Sequence, residues 1–584
     1  MLLKLSVDNT LTRAKYHIKK DEITEAKKLY LQILEAFPKN LRAKEGLANL
    51  NIKRKKNTTK NLPQDVIDQL VNLYNQREFS VVVERAEEII NQYPETFFVW
   101  NIMGASAAGL GNLDKAIEAY NKAISIKPDY AELHNNLGVA YNDQGKQDKA
   151  IEAWNKAISL KPDYAEPYNN LGIYYKDQGR LDEAIEAWNK AISLKPDYAA
   201  PYNNLGIYYK DQGRLDEAIE AWNKAISFKP DYVEAYNNLG NAYFDHGRLE
   251  EAIKTFNKVI MVRPDYVEAH QNLSFALLNS GRVQEGLEEY EWRKKNPKFI
   301  LYERHFSKPL WDGTQSLNGK KILIWSEQGI GDTINWSSCL LHLIPLAEHC
   351  ILECQKKLVP LLERSFPNAK VKAEDRNLDI KRNDFDFHLP MGSLYKHFVN
   401  EIRYNSKPKA HLIPDPLRVQ FWKQRLNSLG NSPFVGISWR SSVMSTTRIQ
   451  NYAPISDWYP LLTLPNVTFI NLQYKDFEYD LTKIRNELGV TVHHFNDLNH
   501  FESLDDVAAL TAALDIVVST RVTPSIISSG VGTPTKIANW RQSSWNNLLL
   551  NPVSSSVEMF DRDTGEPWDN VFRLIAEDVF NSYN

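Results

Sequence analysis

The chain has 584 residues, more than one compact core can serve, so several domains or a repeat array are expected. Hydrophobic residues make up 43% and charged residues 24%, the balance of a folded rather than a disordered chain. The 70 Lys and Arg stand against 73 Asp and Glu, a net charge of -3 without the basic excess of a general nucleic-acid binder. Three cysteines exclude a disulfide scaffold and suit a reducing compartment. No apolar run approaches the roughly 20 residues of a membrane helix. Met1–Arg13, with Lys4, Asp8 and Arg13 among its apolar residues, makes a poor signal peptide. The expectation is a soluble, cytoplasmic, multidomain protein.

Prolines at Pro94, Pro128, Pro162, Pro196, Pro230 and Pro264 are separated by five consecutive intervals of 34 residues. Tyr168–Ser193 is identical to Tyr202–Ser227, a duplication within the chain. In the unit beginning at Ala131 the skeleton is Leu137-Gly138, Tyr141, Gly145, Ala150, Trp154, Ala157 and Pro162. Its spacing predicts two helices with Gly145 at the turn and Pro162 past the second. Gly138, Ala150 and Ala157 let the helices approach, and the stripe Tyr120, Trp154, Trp188, Trp222 and Phe256 fills the core between them.

This pattern resembles the tetratricopeptide repeat. Full units run 97–130, 131–164, 165–198, 199–232 and 233–266, within an array of about seven repeats over 63–300. Residues 63–96 form a divergent opening unit. Residues 267–300 form a worn closing one, with Leu273, Leu277, Gly281 and Tyr290 but Arg293 where Ala is usual. Upstream, Ala14, Ala26, Tyr30 and Pro38 fit the same template in a divergent segment over 7–50 that includes a helix near Leu41–Leu50. Asn51–Leu62, with five Lys and Arg and no acid, reads as a basic linker. Such repeats stack into an α-solenoid whose concave face binds extended peptides.

Asn136, Asn170, Asn204, Asn238 and Asn272 recur on the first helix of successive units. A primary amide donates and accepts, so such a row can hold a peptide backbone whatever its side chains. The row resembles the asparagine ladder in the superhelix of protein O-GlcNAc transferases. Alternatively, Asn is simply a helix-compatible residue at this repeat position.

After a connector over 301–318, short apolar runs alternate with amphipathic helices. Strands are predicted at Lys321–Trp325, Cys350–Cys354, Phe385–Leu389, Val435–Trp439, Val467–Leu472, Val490–His494, Ile516–Ser519 and Thr535–Ala538. Helices are predicted at Asp332–Ala347, Leu358–Ser365, Pro416–Leu429, Leu504–Leu514 and Pro524–Gly530. This alternation indicates α/β lobes with parallel sheets, over 319–414 and 415–584. The strand Ile322–Trp325 runs through Ser326-Glu327-Gln328-Gly329-Ile330-Gly331-Asp332-Thr333 into a helix. Such a turn lets a ligand approach the backbone and the helix amides. Ile334 stands where a dinucleotide fingerprint needs a small residue, and no phosphate loop with Lys-Ser/Thr follows.

The stretch resembles the Gly-Asp loop of the heptosyltransferase-like glycosyltransferases of family 9, and more closely the bacterial proteins that carry this domain behind tetratricopeptide repeats. Pro309-Leu310-Trp311-Asp312-Gly313, Leu352-Glu353-Cys354-Gln355, Phe385-Asp386-Phe387-His388-Leu389-Pro390, Val435-Gly436-Ile437-Ser438-Trp439-Arg440, Asn471-Leu472-Gln473 and Ala509–Asp515 extend the resemblance over most of 300–560. It implies a GT-B architecture of two Rossmann-like lobes. It also implies a nucleotide-sugar donor as co-substrate in the cleft and no bound metal or other cofactor.

Asp332 is then the catalytic base that accepts the acceptor hydroxyl's proton. Asp at a helix start is also a common N-cap. Donor contacts are expected from Gly329, Gly331, Arg440, Arg448, Thr523 and Ser525, with Arg440 and Arg448 facing the leaving diphosphate. Family members carry Asp-Thr/Ser and a His where this chain has Arg521, Val522 and Ile526. Thr523 and Ser525 still offer hydroxyls at a helix N-terminus. Cys350 and Cys354 lack the further ligands of a zinc site, and His493 and His494 alternate across a strand and cannot chelate together. The expectation is a glycosyltransferase whose repeats hold a protein or peptide acceptor. A glycan acceptor differs only in what the repeats dock. The alternative is a tetratricopeptide interaction scaffold whose transferase-like domain is inactive or only binds nucleotide.

Overall fold

A computed structural model describes residues 2–20, 22–47, 62–297, 304–404, 410–430, 432–441, 449, 451–540, 556–563 and 566–583. It forms two compact units, Met1–Tyr208 and Tyr209–Asn584. No helix among the described residues is long and apolar enough to cross a membrane.

The first unit is helical. Phe97–Gly109 pairs with Leu113–Ile126, Ala131–Asp143 with Gln147–Leu160, and Ala165–Asp177 with Leu181–Leu194. The turns depend on Gly111, Gly145 and Gly179, with φ of 76°, 78° and 73°. At Gly145 this left-handed step lets the Gly145 and Lys146 N–H groups donate to the carbonyls of Asn142 and Tyr141, both at 2.8 Å. Small residues are equally necessary within the helices. A Cβ on Gly138 would fall 2.5 Å from Trp154, and one on Gly172 would fall 2.4 Å from Trp188. Each indole is fully buried, a contribution of about 2–3 kcal/mol. Gln64–Asn75 with Phe79–Gln92 and Leu2–Lys19 with Ile23–Ala36 form earlier pairs. Ala14, Ala26 and Tyr30 share one small core with Leu11, Ile33 and Ala43. The basic stretch 51–61 lies outside the described residues.

The second unit begins with further helices of the same kind: Leu215–Phe228, Val233–Asp245 with Leu249–Val262, and Val267–Asn279 with α1 (Val283–Tyr290). A 3-10 turn, Glu291–Lys295, follows. The next strands are β1 (Lys321–Trp325), β2 (His349–Cys354), β3 (Ala369–Ala373) and β4 (Phe387–Pro390), with α2 (Ile330–Ser337) after β1 and α3 (Leu394–Tyr404) after β4. They form a parallel sheet in the order β3-β2-β1-β4. A second, six-stranded parallel sheet follows α4 (Pro416–Asn427). Its elements are β5 (Phe434–Ser438), β6 (Thr468–Asn471), α5 (Glu478–Leu488), β7 (Val492–His493), α6 (Leu504–Ala513), β8 (Ile516–Ser519), α7 (Thr523–Val531), β9 (Thr535–Trp540), β10 (Val557–Arg562) and α8 (Trp568–Tyr583). The order β10-β9-β8-β5-β6-β7 is that of a doubly wound sheet whose first strand is β5.

The expected helix Asp332–Ala347 is divided into α2, a turn at Leu340–Leu343 and a 3-10 turn at Ile344–Leu346. The Ser337 and Ser338 hydroxyls donate back to the carbonyls of Ile334 and Asn335, and Pro345 cannot donate to a continuing helix. Strands β3 and β10 were not expected. Both are sheet edges, and β3 alternates Lys370 and Lys372 with small residues, a charged edge without an apolar run.

One apolar core runs from Leu278, Val283 and Leu287 of the last hairpin through Ile322 and Ile324 of β1 to α6 and α7. Another covers the other face of the larger sheet, with Trp458, Phe469 and Phe572. The closing hairpin and the first sheet are therefore joined by shared burial.

Candidate functional site

The chain reverses its direction of winding beside β1 in the first sheet and beside β5 in the second, where β4 and β8 take their places. Parallel sheets open their crevices at such points, beyond the carboxyl ends of the strands. From β1 the chain passes through Ser326, Glu327 and Gln328 to Gly329, the N-cap of α2. Asp332 folds back, and its Oδ2 accepts the Gly329 N–H at 3.2 Å. The capping geometry is thus present, which restrains the half-buried carboxylate beside the exposed Gly329.

From β8 the chain passes through Thr520 and Arg521 to α7. Ser525 is fully buried and serves this helix as Asp332 serves α2. Its hydroxyl accepts the Val522 N–H at 3.2 Å and donates to the Val522 carbonyl at 2.7 Å. Thr523, at the first helical position, is half-buried. The two loops face each other. A Cβ on Gly331 would lie 3.0 Å from Ile526 Cδ1 and 3.5 Å from Thr523 Oγ1. His411 braces them, with Nε2 3.1 Å from the Ile334 carbonyl and its backbone N–H donating to the Gly530 carbonyl at 2.9 Å.

Gly329, Gly331, Asp332, Thr523 and Ser525 therefore come together. Two buried hydroxyls end the strands beside them: Ser326 Oγ after β1 and Thr520 Oγ1 after β8, neither with a hydrogen-bond partner among the described residues. Burial lowers the pKa of Arg521 to about 10 against the opposing pull of Asp561 and Tyr452, so it stays cationic at neutral pH. Arg440 follows β5, but its guanidinium is engaged by Asp480 at 3.0 Å and by the Asp476 carbonyl. Asp480 also accepts from Trp439 Nε1 at 2.8 Å. Arg448 lies outside the described residues.

Several contributors have no motif of their own. Gln473 accepts from the Trp439 and Arg440 N–H groups, both at 3.2 Å, and donates to the Arg440 carbonyl at 2.8 Å, fixing the end of β5. Lys357 donates to the Phe501 carbonyl at 2.8 Å and lies 3.4 Å above the Phe501 ring, against which Tyr474 stacks at 6.1 Å. On the other flank Gln328 donates to the Tyr290 hydroxyl at 2.9 Å, and Glu327 pairs with Arg293. The one available signal was Arg293 itself, a cation in an apolar repeat position.

Cys339, Cys350 and Cys354 are free and buried, and burial raises the Cys350 and Cys354 thiols to about 12. His494 packs against Phe477 at 4.3 Å and meets the Asn471 amide at 3.0 Å. Among the described residues, no group of three or more His, Cys, Asp and Glu is placed to hold a metal.

On the repeats, the recurrent asparagines are linked in a way their period alone does not reveal. In the first unit, Asn136, Asn170 and Asn204 donate to the side-chain Oδ1 atoms of Asn101, Asn135 and Asn169 at 3.1, 2.9 and 2.9 Å. In the second, Asn272 donates to Asn237 at 3.0 Å, and Asn296 continues the series by donating to Gln271 at 3.0 Å. Each of the four Asn–Asn bonds uses one amide N–H to brace the preceding repeat, whereas the Asn296–Gln271 bond lies within the closing unit. Asn238 also has an interaction.

The family model for the cilia and flagella-associated protein 70 C-terminal domain, a tetratricopeptide-repeat model, matches residues 68–297. Protein FlbA of Caulobacter vibrioides is 32% identical over 282 residues, covering 46% of this chain and 47% of that protein. The chain thus spans about half the length of this curated relative. Among solved structures, the APC/C hetero-tetramer Cut9-Hcn1 is 17% identical with a TM-score of 0.34, covering 50% of this chain and 53% of that one. MamA is 36% identical with a TM-score of 0.24, covering 28% of this chain and 95% of its own. The helical hairpins, their glycine turns and the family match agree: this is a tetratricopeptide-repeat protein that also carries two parallel sheets.

Proposed function

We propose that the chain is a cytoplasmic, metal-independent GT-B glycosyltransferase that moves a sugar from a nucleotide-sugar donor to a protein or glycan acceptor. Tetratricopeptide repeats act as protein-interaction scaffolds, and here they hold the acceptor or a partner that presents it. The observation that carries the reading is the apposition of two strand-to-helix loops at the winding reversals, with Gly331 against Thr523 and Ile526.

In this reading Asp332 takes the proton of the acceptor hydroxyl as that oxygen attacks the anomeric carbon and the carbon–oxygen bond to the diphosphate breaks. Negative charge develops on the departing diphosphate. The amides at the start of α7, the Thr523 hydroxyl and Arg521 supply donors and positive charge, with Ser525 fixing the turn. Arg448 and Arg440 add cations, the latter after exchanging its contact with Asp480. Gly329 and Gly331 keep the facing wall bare of side chains. The asparagine row retains amide hydrogen-bonding capacity beyond its inter-repeat bonds, the chemistry a peptide backbone matches.

The test is transfer from labelled nucleotide sugars by the purified chain, with Asp332→Asn as the comparison. A fall of about 100-fold is expected, and undiminished turnover removes Asp332 from the mechanism. Label entering protein rather than glycolipid selects the protein acceptor. A second reading is a repeat scaffold with a silent transferase-like domain. It is favoured by Ile526 against Gly331 and by the pairing of Arg440 with Asp480.

A further inference from the structure

The end of the repeat array reaches the glycine loop through buried charge. Arg293 is 0% exposed and grips Glu327 with two donors, Nη2 to Oε1 at 2.7 Å and Nε to Oε2 at 3.3 Å. Its Nη1 donates to Glu291 at 2.6 Å, and its Nη2 also donates to Ser393 at 3.0 Å. Glu327 Oε1 further accepts the Gly392 N–H at 2.8 Å. The Ser393 hydroxyl contacts both Glu291 oxygens at 2.9 Å. The network thus joins the 3-10 turn after α1, the loop leaving β1 and the end of β4.

The adjoining Tyr290 occupies the position of the repeat's aromatic stripe, 34 residues after Phe256. Its hydroxyl accepts from Gln328, whose carbonyl in turn accepts from Gln355 at 3.0 Å. Residues 327 and 328 are therefore held from the repeat side, and the next four residues are Gly329-Ile330-Gly331-Asp332. A buried ion pair is a poor device for stability alone, because apolar residues of similar volume often serve as well. Its fork geometry instead fixes orientation.

We infer that Arg293 is a positioning residue: the closing repeat sets the geometry of the Gly329–Asp332 loop through Glu327. The catalytic part of this inference rests on the transferase reading; the positioning of the loop does not.

The experiment compares the full chain with Arg293→Lys, with Tyr290→Phe and with the apolar double variant Arg293→Met/Glu327→Leu. Hydrogen exchange of amides 328–333 is read against β1 amides 322–325. The double variant removes both charges, so neither is left buried without a partner. Exchange of the loop rising about 10-fold while β1 is unchanged is expected, with smaller rises in the two single variants. Loop exchange equal to the parent in all three overturns the inference. Tyr290→Phe and Arg293→Lys decide the matter if the double variant does not fold. If the chain turns over sugar nucleotides, kcat is expected to fall about 10-fold or more with donor KM within about twofold, and Arg293→Lys to restore part of it. Equal losses in kcat and donor affinity would overturn the orienting role. A parent chain with no turnover and no donor binding defeats the transferase reading, while exchange still decides the positioning.

Discussion

Gly331 and Ile526 meet so closely that a methyl on the glycine would stand 3.0 Å from Ile526 Cδ1. The two residues sit in the first turns of α2 and α7, helices that follow strands of different sheets, and their contact limits how near those helix ends can approach. Gly331→Ala is expected to destabilise the fold by about 1 kcal/mol through overpacking. Truncating Ile526 to Ala in the same chain should remove that increment. Denaturant titration of the four proteins in the cycle measures the coupling.

Asn170 and Asn135 make a second test. Asn135 is 7% exposed, and its side-chain Oδ1 accepts from Asn170 at 2.9 Å. Asn170→Ala leaves that oxygen buried without this donor, so a loss of about 1–3 kcal/mol is expected. Peptide affinity alone would not produce this loss, since it appears in the free protein. Urea unfolding of both single variants and the double variant should give a coupling of about 1 kcal/mol.

Asp332 has a separable structural task. Its carboxylate caps α2 through the Gly329 N–H, a bond that Asn can retain through its side-chain oxygen. Asp332→Ala is expected to cost about 1 kcal/mol, and Asp332→Asn much less. Under the proposed transferase reading, both should abolish base catalysis. Thermal unfolding set beside transfer assays separates the two roles.

Acidification should weaken the fold in two windows. The buried His411 imidazole is held to about 4 by burial, which outweighs the Ile334 carbonyl. The folded state resists its protonation, so its contribution is complete above the ordinary value of 6.5 and is lost as pH falls toward 4. At Glu291 burial opposes ionisation, but Arg293 and Lys294 prevail and lower it to about 2. That contribution, about 3 kcal/mol, is present above 4.5 and lost between 4.5 and 2. Melting temperature against pH should show both limbs. Glu291→Gln should flatten the lower one.

Much of the fold was legible because its signals are local. The 34-residue period, the Gly138–Trp154 pairing and the apolar runs of β1, β5 and β8 each declare themselves within a short window. The edge strands β3 and β10 do not, because an exposed strand needs no apolar face. At the site, Gly329–Asp332 and Thr523–Ser525 could be read as strand-to-helix turns. That they face each other is a tertiary fact. The Arg293–Glu327 pair joins residues 34 apart with no pattern linking them, and Asn170 reaches back 35 residues to Asn135. The Asn-Asn pair of four successive units, from Asn135-Asn136 to Asn237-Asn238, was visible, but it looked like one recurrent residue instead of two partners in successive repeats.

The most direct measurement is calorimetric titration of the purified chain with nucleoside diphosphates and their sugars, repeated on Thr523→Val. At least one of them is expected to bind with a Kd at or below about 100 µM. Loss of the Thr523 hydroxyl is expected to weaken this binding about 10-fold. Absence of binding to every one of them at about 1 mM would contradict the transferase reading.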